Sequence, residues 1–313
     1  MTTYVLRRLA STFVVMAVVA FVVFSLLYLT PGDPAAVIAG DIATSDDIAR
    51  IRMHLGLDDP FLIRFGHWVW GLLHGDLGTS IFTNLPVTRL IGQRVEPTLS
   101  LTLCTLVVSI VVAVPLGIVA AAKAGTWLDR AVMAFSVLGF SLPVFVIAYA
   151  MIFTLSVKYE LLPVQGYRSI HDGLWEWLRH LILPSIALGT VYIALITRIT
   201  RASMLDVLAQ DYVRTAEAKG LAPGQVLVGH ALKNAAIPIV TIIGVGVALL
   251  ISGAIVTETV FALPGIGRLT VDAILRRDYP VIQGVILIFS AIYVIVNLAV
   301  DLSYVLFDPR VRY

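Results

Sequence analysis

The stretch LASTFVVMAVVAFVVFSLLYL, Leu9–Leu29, carries no charged residue over 21 positions and follows Arg7 and Arg8. A helix needs about 20 apolar residues to cross the hydrocarbon core of a bilayer. The apolar stretch of a secretory signal peptide runs only to about 15. No small-x-small cleavage pattern comes after the run, where Thr30-Pro31-Gly32-Asp33-Pro34 follows, so we read it as a retained span. Five further runs share its character: Leu99–Ala122, Ala131–Val157, Leu181–Thr200, Ala236–Thr257 and Val281–Phe307. The expected fold is an all-α membrane protein with six transmembrane helices. Residues 1–93 hold the first span and a long external loop, 94–307 a core of five spans, and 308–313 a short cytoplasmic tail.

Composition agrees. Hydrophobic residues make up 59% of the 313 and charged residues 13%, about half the charge of a soluble domain. The net charge of +2 gives no case for nucleic acid. The single cysteine, Cys104, excludes an internal disulfide or a zinc site built on several cysteines, and in its apolar run it packs as a small hydrophobe. Pro115, Pro143, Pro184 and Pro238 fall inside spans, as kinks around a pathway or as ordinary helix ends. With the N-terminus in the cytoplasm, eleven Lys and Arg fall on that side and six on the other once the long loop Thr30–Thr98 is left out. That bias puts both termini inside.

The long loop carries its own signals. Thr44 and Asp47 have the spacing of a capping box. Phe61, Phe65, Trp68 and Leu72 recur at helical spacing beside Trp70, which predicts a helix at the outer surface, either a docking platform or, the reading preferred, packing over the bundle.

Catalytic patterns are missing. There is no Gly-Lys pair for a P-loop and no His-Glu-x-x-His, and no Gly-x-Ser-x-Gly. The histidines (His54, His67, His74, His171, His180, His230) are scattered. Asp301 is the one acid well inside a span, which excludes an aspartyl dyad there. Intramembrane acids are functional candidates, but Asp301 lies near the cytoplasmic end, where a bond to Asn297 or a partner span is the structural reading. No metal or cofactor site is expected.

The most informative segment is cytoplasmic. Leu205, Leu208, Tyr212 and Ala216 recur at helical spacing and predict a helix over Leu205–Lys219. Gly220 stands where a helix stop favours positive φ, and Pro223 suits the first turn of a second helix, expected to run through Val226, Leu227, His230, Ala231 and Asn234 and end before Pro238. The segment 206–236 therefore reads as a helical hairpin projecting toward a protein partner. Its few basic residues and its tethering at both ends argue against DNA.

Asp211-Tyr212-Val213-Arg214-Thr215-Ala216-Glu217-Ala218-Lys219-Gly220-Leu221, followed by His230-Ala231-Leu232-Lys233-Asn234-Ala235-Ala236-Ile237-Pro238, resembles the coupling segment of ABC importer permeases of the dipeptide/oligopeptide/nickel branch. Arg214-Thr215-Ala216 stands where the general motif begins Glu-Ala-Ala. Tyr4–Leu9, Pro31–Pro34, His74–Ser80, Thr257–Phe261, Pro264–Leu269, Arg276–Val281 and Asp308–Tyr313 resemble other segments of that branch, in order along the chain. The B-type subunit of dipeptide transporters is the nearest pattern at both ends.

The resemblance implies a type I ABC importer permease fold in a bacterial or archaeal inner membrane. It implies a homologous second permease, two cytoplasmic ATPase subunits and an external substrate-binding protein as partners, with ATP and Mg on the ATPases and none on this chain. It implies an ATPase-coupling role for Tyr212, Arg214, Thr215, Ala216, Glu217, Ala218, Lys219, Gly220 and Leu221. Ser141, Pro143, Gly244 and Gly246 interrupt otherwise regular helices and are candidates for the translocation pathway, with packing as the plainer role. The alternative class is an ion-coupled secondary transporter, which buries acids or histidines near mid-membrane.

Overall fold

A computed structural model describes residues 2–29, 34–39, 43–54 and 56–307. The segments Pro31–Asp33 and Asp308–Tyr313 lie outside the described residues, as do the side chains of Arg7, Arg8 and Asp301. The described chain groups into two compact units, one of residues 1–95 and 269–294, the other of 96–268 and 295–313.

The first unit contains α1 (Thr2–Leu29), α2 (Pro34–Ala39), α3 (Ser45–His54), α4 (Phe61–Leu73) and the starts of α5 (Val87–Ala122) and α12 (Tyr279–Phe307). α3 begins with the expected capping box. Thr44 Oγ1 donates to Asp47 Oδ2 at 2.7 Å while the Asp47 N–H donates back to Thr44 Oγ1 at 3.3 Å. The Thr44 hydroxyl holds the Asp47 carboxyl below its ordinary pKa. On α4, Phe61 and Phe65 meet Phe21 and Phe24 of α1 edge-on with centroids 5.4–5.8 Å apart, and Trp68 lies 5.2 Å from Phe24. The aromatic stripe thus packs against α1, and the opposite face exposes Leu62, Trp70 and Leu73.

In the second unit α8 (Leu174–Leu208) is the centre. Its most apolar window is 67% buried, against 28–29% for α5, α10 (Lys233–Val260) and α12. α6 (Trp127–Ser141), α7 (Val144–Met151) and α10 pack on it. Leu181, Leu188 and Ile196 of α8 join Leu101 and Leu250 in the core. α5 approaches α8 at Gly117, where a Cβ would stand 2.6 Å from Thr200 Cβ and 2.9 Å from Thr197 O. The connection 159–173 is tied to α5. Glu96 Oε1 accepts from Tyr167 Oη at 2.9 Å, Ser169 Oγ at 2.7 Å and the Ile170 N–H at 3.1 Å. Burial there pushes the Tyr167 phenol above its ordinary pKa.

Among the described residues, four helices are long and apolar enough to cross a membrane: Val87–Ala122, Leu174–Leu208, Gln225–Ile251 and Tyr279–Ala299. The described apolar part of α1 is the shorter Ser11–Ser25. The expected span Ala131–Val157 is not one helix. It breaks between α6 and α7 with a bend of 101°, and counts as a fifth crossing only if the bent pair is a single span. Leu142 is extended at φ −86°, ψ 129°, because the Pro143 ring disfavours the helical conformation of the residue before it. Past the break, Ile152–Lys158 winds as a π-helix.

Because the α5–α8 contact leaves no room for a side chain, Gly117→Leu is expected to destabilise the fold by about 1–3 kcal/mol through overpacking. The thermal unfolding midpoint of the purified protein should fall, and an unchanged midpoint would contradict this account of the contact.

Candidate functional site: a capped helical hairpin and its supports

α8 runs to Leu208 and stops. Gln210 is extended at φ −78°, ψ 147°, and α9 (Asp211–Ala218) starts anew with Asp211 in its first turn, where a carboxylate favours the positive helix end. The helix expected over Leu205–Lys219 is therefore two helices. The break shifts the phase of the inward face. Val213 and Ala216 are buried, while Tyr212 is 43% exposed.

α9 ends as expected at Gly220, with φ +84°. The Gly220 N–H donates to Glu217 O at 2.9 Å and the Leu221 N–H to Ala216 O at 3.4 Å, the paired bonds of a Schellman cap. Leu221 folds onto Val213, Ala216 and Val226, with Val207 and Leu208 completing a small core inside the hairpin. Chain direction reverses here, and Ala222 opens the second helix. Its carbonyl accepts from the Gln225 and Val226 N–H groups, and its own N–H donates to Gln225 Oε1 at 3.4 Å. Pro223 occupies the first turn, where its missing N–H costs nothing.

The second helix does not end before Pro238. Its π-helical stretch Gln225–Leu232 continues into α10 with Pro238 inside. A proline in an apolar helix bends it when neighbouring groups satisfy the freed carbonyls. The second arm of the hairpin is thus the beginning of a spanning helix.

Of the residues the resemblance singled out, Tyr212, Arg214, Thr215, Glu217, Ala218, Lys219 and Gly220 form an exposed, mostly polar surface. Ala216 lies inside and Leu221 is half-buried in the hairpin core. Arg214 pairs with Asp211 at 3.7 Å in solvent, a contact worth little. Ser141 and Pro143 flank the α6–α7 break and are exposed, and the Ser141 hydroxyl bonds Val137 O at 2.8 Å. Gly244 and Gly246 are buried in α10. Gly246 faces the Tyr192 ring of α8, with 3.3 Å between a built Cβ and the ring, so it sets the approach of those helices. The two pairs sit on different helices, with α7 packing against α10.

Two supports escape a reading of the sequence. Arg201, near the end of α8, makes a forked ion pair with the buried Asp129 of α6. Its Nε lies 2.6 Å from Oδ1 and its Nη2 2.8 Å from Oδ2. The Gly125 N–H adds a bond of 2.9 Å to Asp129 Oδ2. This strut fixes the α5–α6 turn to the helix that leads into the hairpin. At the other end of α10, the fully buried Glu258 accepts from Thr98 Oγ1 at 2.6 Å and from the Arg268 N–H at 2.9 Å. Thr98 Oγ1 accepts in turn from the Ile266 N–H at 2.8 Å. A Cβ on Gly265 would overlap the Glu258 carboxyl, which explains the glycine of Pro264-Gly265. Nothing in a lone Asp129 or Glu258 signals Arg201 or Thr98, because these lie 72 and 160 positions away.

The forked pair should show coupling in a double-mutant cycle. Asp129→Asn and Arg201→Gln are expected to be non-additive by about 1–3 kcal/mol in unfolding free energy, since each single change strands the other partner. Additivity would mean the pair carries no joint energy.

The family described as the binding-protein-dependent transport system inner membrane component matches residues 113–313, and the N-terminal family of such membrane components matches residues 1–102. A probable peptide ABC transporter permease of Sinorhizobium fredii is 53% identical over 310 residues, 99% of both chains. A putative peptide transport system permease of Brucella abortus is 44% identical over the full length of both. The dipeptide transport system permease DppB of Escherichia coli is 38% identical, covering 99% of this chain and 98% of that one. Among solved structures, the membrane fold resembles a chain of the MetNI methionine ABC transporter in an inward-facing conformation, with a TM-score of 0.60 at 17% identity over 71% of this chain and 97% of that chain. The chain belongs to the family of multi-pass inner membrane components of binding-protein-dependent transport systems.

Proposed function

We propose that the chain is one of two homologous permease subunits of an ATP-driven importer and forms half of the pathway for dipeptides or oligopeptides. The observation that carries the reading is the capped hairpin. A stiff, polar projection joins α8, the central helix of the larger unit, directly to α10. Motion imposed at its tip enters two core helices at once, which is what coupling through a rigid element requires. The relatives named for peptide and dipeptide transport span this chain nearly end to end, and that supports a peptide substrate.

In this reading α1 and the bent α6–α7 pair are each one span, so the chain crosses six times with both termini and the hairpin in the cytoplasm. Two ATPase subunits bind ATP and Mg and close on one another. The exposed face Tyr212–Gly220 rests on one of them, and its displacement moves α8 and α10. A binding protein delivers the peptide from outside. Reporter fusions at Lys123, Gly173 and Gly224 are expected to report inside, outside and inside; an external Gly224 would overturn the coupling role.

Gly220→Val tests the tip. A Cβ on Gly220 meets nothing within 4 Å, so the hairpin has room for a side chain. The positive φ costs a side-chained residue roughly 1 kcal/mol, too little to unfold a six-span bundle. The variant is expected to reach the membrane in normal amount, assemble, and lose substrate-stimulated ATP hydrolysis and uptake together. Gly220→Asn, which tolerates a left-handed backbone, should lose them as well if the added side chain obstructs the ATPase. Normal uptake by abundant Gly220→Val protein would refute the coupling role, and loss of the protein itself would reduce Gly220 to a helix stop.

A further inference from the structure

The first unit holds a cavity of about 380 Å³. Its walls come from the α3–α4 connection, α4, the loop 77–81 and the first turns of α12, with Phe24 of α1 among them. These elements are fixed by bonds of their own. α11 (Ile266–Arg276) ends in a turn where the Arg277 N–H donates to Ile274 O at 3.1 Å and the Asp278 N–H to Ala273 O at 2.9 Å, with Arg277 at φ +57°. The turn delivers Asp278, only 4% exposed, to the loop. Asp278 accepts from Ser80 Oγ at 2.5 Å and from the Ile81 N–H at 3.3 Å. The loop also closes on itself, through Ser80 N–H to Leu85 O and Val87 N–H to Gly78 O, both 2.9 Å. Gln283 Nε2 of α12 donates to Val23 O of α1 at 3.4 Å. The cavity is therefore preformed.

Its lining carries charge of both signs. Arg64 and Gln283 line it and are each only 8% exposed. The Arg64 guanidinium carbon stands 5.9 Å from the centre of the Phe24 ring, and the face of an aromatic ring attracts such a cation. Asp59 brings an exposed carboxylate to the same cavity. Trp68 and Tyr279 add rings that are part apolar and part hydrogen-bonding. A fixed guanidinium suits a phosphate or carboxylate, which its planar fork can bind with two parallel bonds. A carboxylate beside it suits an ammonium. The matching ligand carries one anion and one cation a short way apart.

We propose that the cavity holds the headgroup of a zwitterionic phospholipid of the outer leaflet, with its phosphate at Arg64 and its primary ammonium at Asp59. The inference rests on the reading of the chain as a permease, which puts the end of α1 and the start of α12 outside. Phe24 lies five residues before the end of α1, and Gln283 four residues after the start of α12. At 1.5 Å per residue, both stand about 6–8 Å inside the outer ends of spanning helices. That is the depth of headgroups and their glycerol, where tryptophan and tyrosine also gather. A peptide carries the same two charges but arrives in water, whereas this cavity opens at the level where lipid headgroups already lie. Phe21 and Val22, within a turn of Phe24, are exposed on α1 and offer an apolar surface to the acyl chains.

The test uses the complete transporter, both permeases with both ATPases, stripped of lipid in detergent. It is titrated with dioctanoyl phosphatidylethanolamine, phosphatidylcholine or phosphatidylglycerol while bound lipids are counted by native mass spectrometry. Phosphatidylethanolamine is expected to fill one site about tenfold more tightly than the other two, because only its ammonium donates charge-assisted bonds to Asp59. Asp59→Asn should bring it down to the level of phosphatidylcholine. Arg64→Gln should weaken all three lipids about tenfold, and Arg64→Lys, which keeps the charge without the fork, should recover part of the loss. Asp59 is exposed, so Asp59→Asn decides the matter even where Arg64→Gln does not fold. Equal affinity of wild type and Asp59→Asn for phosphatidylethanolamine overturns the proposal. So does displacement of the lipid by an equal concentration of free phosphoethanolamine or of a dipeptide, which would give the cavity a water-borne ligand. Labelling of the exposed position 79, as Thr79→Cys, only from the cytoplasmic side would instead overturn the permease reading, an outcome the lipid titration cannot produce.

Discussion

Close contact around α8 is the constraint on which the larger unit depends. In lipid, apolar side chains gain little by leaving the surroundings for one another, so helices associate through tight packing and small residues. α8 has that character. Its side chains from Leu181 to Thr200 are largely buried, Thr197 and Thr200 take the space left by Gly117 of α5, and Tyr192 lies over Gly246 of α10. The Thr197 hydroxyl reaches Ala113 O across the interface at 3.3 Å. Such contacts are steric and specific, so a shift of α8 is felt by every helix packed on it.

The ends of α8 and α10 carry that property outward. At one end α8 passes the Asp129–Arg201 strut and enters the hairpin, whose second arm is the start of α10 itself. At the far end of α10, Glu258 ties the turn to Thr98 of α5 and to the first peptide groups of α11. Each tie is a carboxylate surrounded by donors, with its charge offset by a guanidinium or by helix N–H dipoles, which is how an acid is accommodated away from water. The hairpin is thus joined through continuous backbone to a core clamped at both ends.

Two chain reversals with the same hydrogen bonds differ in one residue. At Gly220 the left-handed position carries no side chain, and a Cβ there would meet nothing within 4 Å. At Arg277 the same position carries a cation into solvent. The same local geometry is thus filled oppositely at the two turns, by a bare backbone and by a cation.

Much was legible along the chain. Apolar runs, capping pairs and turn residues act over a few positions, so Thr44 with Asp47, the aromatic stripe of α4, the stop at Gly220 and the start at Pro223 all emerged from spacing alone. The family's motifs, in order along the chain, were legible by resemblance instead. Where the reading went astray, a local rule met a competing one. Pro143 broke an apolar run that length alone made a single helix. A two-residue break at Ala209-Gln210 split the helix expected over Leu205–Lys219. Pro238 lies inside a helix it was expected to end. Apolar character and chain reversal were determined by the sequence itself, because hydropathy and φ preferences are properties of neighbouring residues. The centrality of α8, the Asp129–Arg201 and Glu258 ties, and the pinning of Ser80 by Asp278 were decided only by tertiary structure, because each joins residues far apart in the chain whose interaction energy exists only once packing has brought them together.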